Sequence, residues 1–336
     1  MKILLIGNGF DLAHKLPTTY NDFLEVCKGL KSELTAKPVS NTLFVNYSAN
    51  VSKIDRDRLR NIIKNNAWIE HFINKRNKLG DSWGDFETEV ESVVKNLYEE
   101  MNSSAKDTIS SCAYQILYRT IRNKYTDDFN NSYNELFKKL IIELKELSNA
   151  LDIYFVTYVE KISIQTLELF KNKGINRLLS FNYTSTFTEN YNAYDVPDFE
   201  SCYIHGKTSK NNLVLGFDDH YLESGNAIIK TVPFEKYYQR IVNVNDNTYL
   251  KWLEELKESS EISELIIFGH SLTPSDGDIL RKFICCPNVI TKIYCYNDDD
   301  RARKIANLAF VLGPDRLISF VGELNPIVEF LPQKTL

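Results

Sequence analysis

No stretch of about 18 uninterrupted apolar residues occurs in this 336-residue chain, so a membrane span is not expected and a cytoplasmic location is. C-x-x-C spacing is also missing. The six cysteines (Cys27, Cys112, Cys202, Cys285, Cys286, Cys295) read as reduced core thiols, because a chain of this size needs no disulfide staples. Five scattered histidines, His14, His71, His205, His220 and His270, offer no zinc-ligand spacing, and no metal is expected. Basic excess is absent: 40 Lys and Arg stand against 45 Asp and Glu, a net charge of -5, which disfavours nucleic acid as a partner. Internal repeats, low-complexity tracts and linkers rich in Pro and Gly are absent too.

The chain does have enough apolar residues, 43%, to fill one large core or two smaller ones. Its first residues, Lys2-Ile-Leu-Leu-Ile-Gly-Asn-Gly-Phe-Asp-Leu12, form a short apolar run that breaks into Gly7-Asn8-Gly9. A buried parallel strand followed by a glycine turn predicts the opening of a nucleotide-binding α/β domain, with backbone able to approach a phosphate at the next helix. The place of the third fingerprint glycine holds Leu12, so a tight turn without a ligand stays open as the alternative.

Residues 20–172 are poor in glycine and apolar at helical spacing, notably over 86–97 and 135–151, and predict a helical insertion. The polar stretch 32–55 reads as a long connection. Short apolar runs at 177–181, 201–204, 213–215, 265–268, 289–296 and 316–321 predict strands, and helical patterns fall at 234–242, 250–259 and 299–311. The expected architecture is α/β: a mainly parallel Rossmann-like sheet flanked by helices, formed by 1–19 with 173–336, and a large helical insertion after the first strand.

Ligands of open α/β sheets sit at the carboxyl ends of strands, so polar residues just after apolar runs are the candidates. They are Gly7, Asn8, Gly9 and Asp11; Asn182 and Thr184; His205 before Gly206; and Gly269, His270 and Ser271 leading to Asp276. The Asn182 carboxamide suits a ribose hydroxyl or a water, with an Asx-turn as the structural alternative. Histidine exchanges protons near neutral pH, which singles out His205. Asp276 is placed to cap a helix, while Gly269 and Ser271 suit the far end of a dinucleotide. Ser271 beside His270 lacks a G-x-S-x-G elbow. Glu87 and Glu91 share a helix face and could serve as acid and base or bind Mg²⁺, solvated helix charge being the alternative. Asp298, Asp299 and Asp300 predict a helix N-terminus.

Leu4 to His14, Leu16-Pro-Thr-Thr-Tyr20, Trp83-Gly-Asp-Phe-Glu87, Ser180-Phe-Asn-Tyr-Thr184, Ile204-His-Gly206, Leu215-Gly-Phe-Asp218 and Phe268-Gly-His-Ser-Leu272 with Asp276 closely resemble the AbiH family of bacteriophage abortive infection. The match spans nearly the whole chain and implies a bacterial defence protein acting inside the infected cell. The same order of motifs is similar, more distantly, to sirtuin-like NAD-consuming defence domains. That resemblance implies that Asn182 positions the nicotinamide ribose or the attacking water and that His205 is the general base. Asp11 would lie beside the nucleotide, with Ser271 and Asp276 shaping the far side of the pocket. Thr184 stands where those domains carry an aspartate, and His270 where they carry an aromatic residue.

The implied activity is hydrolysis of NAD or a related nucleotide, with no other cofactor. Implied partners are a nucleotide substrate and a phage trigger or host regulator, with no membrane; a homo-oligomer stays open. Two other classes remain: a nucleotide-binding phage sensor or interaction module without chemistry, and a metal-dependent nuclease using Asp11, Glu87 and Asp276.

Overall fold

The computed structural model describes residues 1–34, 41–79, 86–102, 133–171, 173–191, 193–217, 231–322 and 326–333. Trp83 to Asp85 and Asp218 of the sequence motifs, together with Cys112 and His220, lie outside the described residues. The chain divides into two compact units, one of 1–16, 162–207 and 244–336, the other of 17–161 and 208–243.

The first unit is built on a six-stranded sheet in which every pairing is parallel. Its strands are β1 (Lys2–Ile6), β2 (Arg177–Ser180), β3 (Glu200–Tyr203), β4 (Ser263–Phe268), β5 (Val289–Cys295) and β6 (Val328–Pro332), in the spatial order 3-2-1-4-5-6. This is the Rossmann-like order, in which the side to which successive strands are added switches between β1 and β4. The register aligns Ile6 with Ser180 on one side and with Phe268 on the other, so the carboxyl ends of β2, β1 and β4 finish level.

Alternation along β1 sends successive side chains to opposite faces, and both faces are covered. Ile3 and Leu5 join a core with Leu179, Trp252, Ile267 and Phe283. Leu4 and Ile6 join a second with Phe10, Phe170, Leu178 and Phe268. Ile3 to Ile6 are each at most 1% exposed, which explains why the run carries no polar position after Lys2. The helices of this unit include α1 (Asn8–Ala13), and further along the chain Thr186–Asn190, Tyr249–Glu258, Gly277–Ile284, Asp298–Leu312 and Pro314–Gly322.

At the top of β1 and β4 the two backbones meet without side chains between them. Gly9 N–H donates to the Gly269 carbonyl at 2.8 Å, and Gly7 N–H to the Phe268 carbonyl at 3.3 Å. A methyl on Gly269 would lie 2.1 Å from Phe10 N, one on Gly9 2.7 Å from Gly269 Cα, and one on Gly7 2.8 Å from His270 Cα. Gly269 also holds φ +67°, a left-handed conformation that disfavours other residues.

The second unit is helical: α2 (Tyr20–Leu34), α3 (Thr42–Asn50), α4 (Lys53–Ile63), α5 (Ala67–Leu79), α6 (Phe86–Asn102), α7 (Tyr133–Thr157) and, after Thr186–Asn190 (α8) of the first unit, α9 (Lys236–Val242). A reciprocal cap starts α2: the Asp22 carboxylate accepts from Thr19 N–H while Asp22 N–H donates to the Thr19 hydroxyl, both at 3.0 Å. Phe86 is stacked against Tyr20 at 4.1 Å and Phe72 at 4.2 Å. The fully buried Glu143 accepts the Ala67 amide at 2.6 Å, so a carboxylate of α7 closes the start of α5. Gly216 approaches the Phe234 carbonyl too closely for any side chain, and Gln239 receives Leu215 N–H and donates to the Leu215 carbonyl.

Three expected elements differ. Residues 213–215 form no strand; the Gln239 side chain takes both backbone groups of Leu215 that a ladder would have used. Residues 316–321 are helical within Pro314–Gly322, because Pro314 and Asp315 provide a helix start directly after Gly313; the neighbouring strand is β6 instead. The polar stretch 32–55 contains α3 and the start of α4, its Asn41 and Ser52 being N-caps that accept from Phe44 N–H and Asp55 N–H. Asp298 to Asp300 do open a helix, capped by Asn297.

Gly269→Ala is expected to lower stability by about 3 kcal/mol, since it combines a clash with backbone and a left-handed alanine. Gly174→Ala shares nearly the same φ, +62°, but its methyl meets open space, and should cost only about 1 kcal/mol. Urea unfolding of both variants measures the difference as a fall in midpoint at constant slope.

Candidate functional site

The site lies within the first unit, at the carboxyl ends of four adjacent strands. β3 delivers Ile204 and His205, β2 delivers Phe181 and Asn182, β1 delivers Gly7 to Gly9, and β4 delivers Gly269 and His270. Parallel pairing alone brings together polar turns that are distant in the chain.

Three side chains converge there. Asp276 sits at the start of Gly277–Ile284 (α11, after Tyr249–Glu258, α10), yet its side chain makes no cap hydrogen bond. Instead its Oδ1 lies 3.3 Å from His205 Nε2 and its Oδ2 lies 3.4 Å from His270 Nε2. All three residues are 4–6% exposed, so this carboxylate faces two imidazoles largely out of water. Leu272 N–H donates to His270 Nδ1 at 3.0 Å, which assigns the lone pair to Nδ1 and the ring proton to the nitrogen facing Asp276. Leu272 itself is fully buried at φ +58°, a strained conformation for a large side chain that aims this amide. The Phe181 ring stands edge-on to both imidazoles, 5.4 Å from His205 and 4.5 Å from His270.

Asn182 follows one residue later and is 5% exposed. Its backbone N–H donates to the Ser180 hydroxyl at 3.1 Å, but its side-chain Nδ2 is buried with no hydrogen-bond partner among the described residues. Leaving such a donor unmet costs about 1–3 kcal/mol, a cost that a bound acceptor would remove.

Asp11 and Thr184, far apart in sequence, are joined: the Thr184 hydroxyl donates to Asp11 Oδ2 at 2.6 Å, and Thr186 donates to Thr184 Oγ1 at 3.1 Å. Asp11 is 1% exposed, and the hydroxyl supplies a hydrogen bond that an aspartate at position 184 could not give unless protonated. The glycine turn has a structural role of its own. Gly9 N–H is engaged by Gly269, so the glycines serve the close approach of two backbones. Asn8 and Ser271 are exposed on the two turns; the Ser271 carbonyl accepts from Asn307 at 2.9 Å.

His14, also in the first motif, is buried in a closed chain of bonds. Its Nδ1–H donates to the Phe10 carbonyl and its Nε2 accepts from the Tyr191 hydroxyl, both at 2.6 Å; that hydroxyl accepts Leu167 N–H at 2.7 Å. Burial lowers the His14 pKa against the opposing pull of the Phe10 carbonyl, and burial pushes the Tyr191 hydroxyl up to about 12. Phe181 and Tyr191 carry these contacts without having been singled out in the sequence. Their aromatic character gave no signal that distinguishes a wedge from ordinary core.

The acids of α6 are engaged within the second unit. Glu87 Oε2 lies 2.8 Å from the buried Lys236, and Glu91 pairs with Lys95. Glu89 receives Lys75 and faces His71 at 2.7 Å; burial raises its pKa, but these two partners outweigh that and hold it low. No cluster of three or more His, Cys, Asp or Glu suited to a metal ion occurs among the described residues.

A family model described as bacteriophage abortive infection AbiH matches residues 3–294, a span that contains every residue of this site. No curated protein and no solved structure matches the chain.

The His14 network predicts a pH dependence. The unfolded chain protonates this ring at its ordinary value of 6.5, the folded chain only at a lower pH, so acidification favours the unfolded state. The contribution is present above about pH 6.5 and is lost as pH falls through the folded value. Between about pH 8 and pH 5, the urea midpoint of wild type should therefore fall further than that of His14→Gln, which keeps the bonds without the charge.

Proposed function

The chain belongs to the bacteriophage abortive infection AbiH family, and from that premise we propose that it acts by hydrolysing NAD, or a related nucleotide, at the nicotinamide ribose. The observation that supports this reading is the Asp276 carboxylate set against His205 and His270, beside the buried and unpartnered Asn182 amide. A proton-accepting imidazole, a carboxylate to hold it and an unmet donor suit hydrolysis of the bond to nicotinamide, whose leaving group departs neutral and needs no acid to protonate it.

In this mechanism the bond between the ribose C1 and the nicotinamide nitrogen breaks, its electron pair leaving with neutral nicotinamide. Water adds to C1 and its proton passes to His205. Asp276 orients His205 and stabilises the imidazolium that forms. Asn182 donates to a ribose hydroxyl or to the water, and Phe181 keeps bulk water from the two imidazoles. Asp11 and Thr184 support the β1 and β2 turns beside the nucleotide. Unregulated turnover would deplete the host's own nucleotide, so a phage trigger or a host regulator belongs to the same proposal. Of the three acids that the nuclease reading names, Asp11 is bonded by Thr184, Glu87 faces Lys236 in the second unit, and Asp276 faces His205 and His270.

Purified protein incubated with NAD, alone and with lysate of phage-infected cells, should release nicotinamide. Asn182→Ala and His205→Ala should each slow release about 10²- to 10⁴-fold with folding intact. Release at the wild-type rate in both variants would overturn the mechanism, and intact NAD under both conditions would favour a binding module without chemistry.

A further inference from the structure

The second unit contains a cavity of about 250 Å³ between α7 and α9, lined wholly by residues of that unit. Leu144, Leu213, Pro233 and Val242 give it apolar walls. Lys145, Asn149 and Asp152 line it from α7, spaced i, i+4 and i+7 so that they share one helix face.

The polar groups of this cavity fall into two kinds. Gln239 and Asn243 hold backbone: Gln239 joins both groups of Leu215, and Asn243 Nδ2 donates to the Leu213 carbonyl at 3.4 Å. Asp152 is different. Its Oδ1 accepts Ser209 N–H at 2.8 Å, while Oδ2 has no hydrogen bond or ion pair among the described residues. The Asn149 amide and the Lys145 ammonium likewise have none. Ser209 and Asn211 both adopt left-handed backbone, φ +66° and +53°, in the turn that brings the Ser209 amide to Asp152. Burial, and then the charge of Glu160, push the Asp152 pKa up against the Ser209 bond, so this carboxylate gains from any further N–H donor.

An apolar hollow with a few convergent, unengaged polar groups is the general form of a small-ligand site. The volume falls just below the ~300–1,000 Å³ of drug-sized sites, which limits the occupant to about a nucleobase or nucleoside. Lys145 disfavours a cationic occupant. A carboxylate wants two adjacent donors, and among the common bases guanine alone offers them on one edge, N1–H and the N2 amine, with O6 and N7 as acceptors beyond.

We propose that this cavity binds a guanine nucleoside, with N1–H and N2–H donated to Asp152 and the Asn149 amide donating to O6 or N7. The inference is independent of the nucleotide-hydrolysis reading, because the cavity and the Asp276 site share no residue.

Calorimetric titration of the full chain with guanosine, inosine and adenosine tests it. Guanosine should bind, inosine about 10-fold more weakly for loss of the N2 donor, and adenosine not measurably. Asp152→Asn keeps the acceptor for Ser209 N–H and removes a disfavoured charge, so it should fold at least as stably. Its carboxamide matches the N1–H donor and C2 carbonyl of xanthosine, and the variant should exchange guanosine preference for xanthosine. Leu144→Trp, which fills the hollow, should abolish binding of every base. Failure of guanosine to bind wild type, equal binding of adenosine, or an Asp152→Asn protein that still prefers guanosine would each overturn the proposal.

Discussion

The close contact of two backbones at the tops of β1 and β4 is the constraint on which the first unit depends. Gly7 and Gly9 face Gly269 and His270 at distances that leave no room for a Cβ, and the Gly9 amide closes the contact on the Gly269 carbonyl. β1 and β4 are the strands between which the sheet reverses its order, so the two halves of the sheet are joined there. Residues beyond that contact inherit their positions from it. His270 leaves β4 directly after Gly269, and α1, with Phe10, Asp11 and then His14, begins directly after Gly7.

The site is correspondingly made of groups fixed by backbone. Leu272 N–H sets the tautomer of His270, Asp276 stands between His270 and His205, and Phe181 wedges the rings. Buried polar groups are tolerated when each finds a partner, and most do here. Asn182 Nδ2 has no partner among the described residues, and an unmet donor beside titratable side chains is where a ligand is expected to contribute the missing bond. The helical unit shows the opposite behaviour in α6, where Glu87, Glu89 and Glu91 each face a basic partner and their charge serves packing.

Much of this was legible in the chain. Apolar runs of four to seven residues bounded by glycine or polar turns marked β1, β2, β3, β4 and β5, and the parallel sheet followed from the helices between them. Asn182, His205 and His270 were marked by standing just after such runs, and Asp276 by the polar turn that leads on from His270. The failures have local physical causes. The apolar run at 316–321 suits a strand as well as a helix, and Pro314 decided it; the run at 213–215 lost its ladder to one glutamine side chain; the polar stretch 32–55 hid two helices because its polar residues were caps.

The sequence by itself determined five of the six strands, β1 to β5, the glycine turns, the polar residues placed at strand ends and the membership of the AbiH family, because each is a matter of neighbours along the chain. Tertiary structure alone decided what those residues touch. Asp276 looked like a helix cap and became the carboxylate between two histidines; the turn at Gly7 and Gly9 is also the seat of another backbone; Thr184 met Asp11 across 173 residues. Periodicity fixes which face a residue takes, whereas its partners are set by strand order and register, and those depend on contacts that no local pattern records.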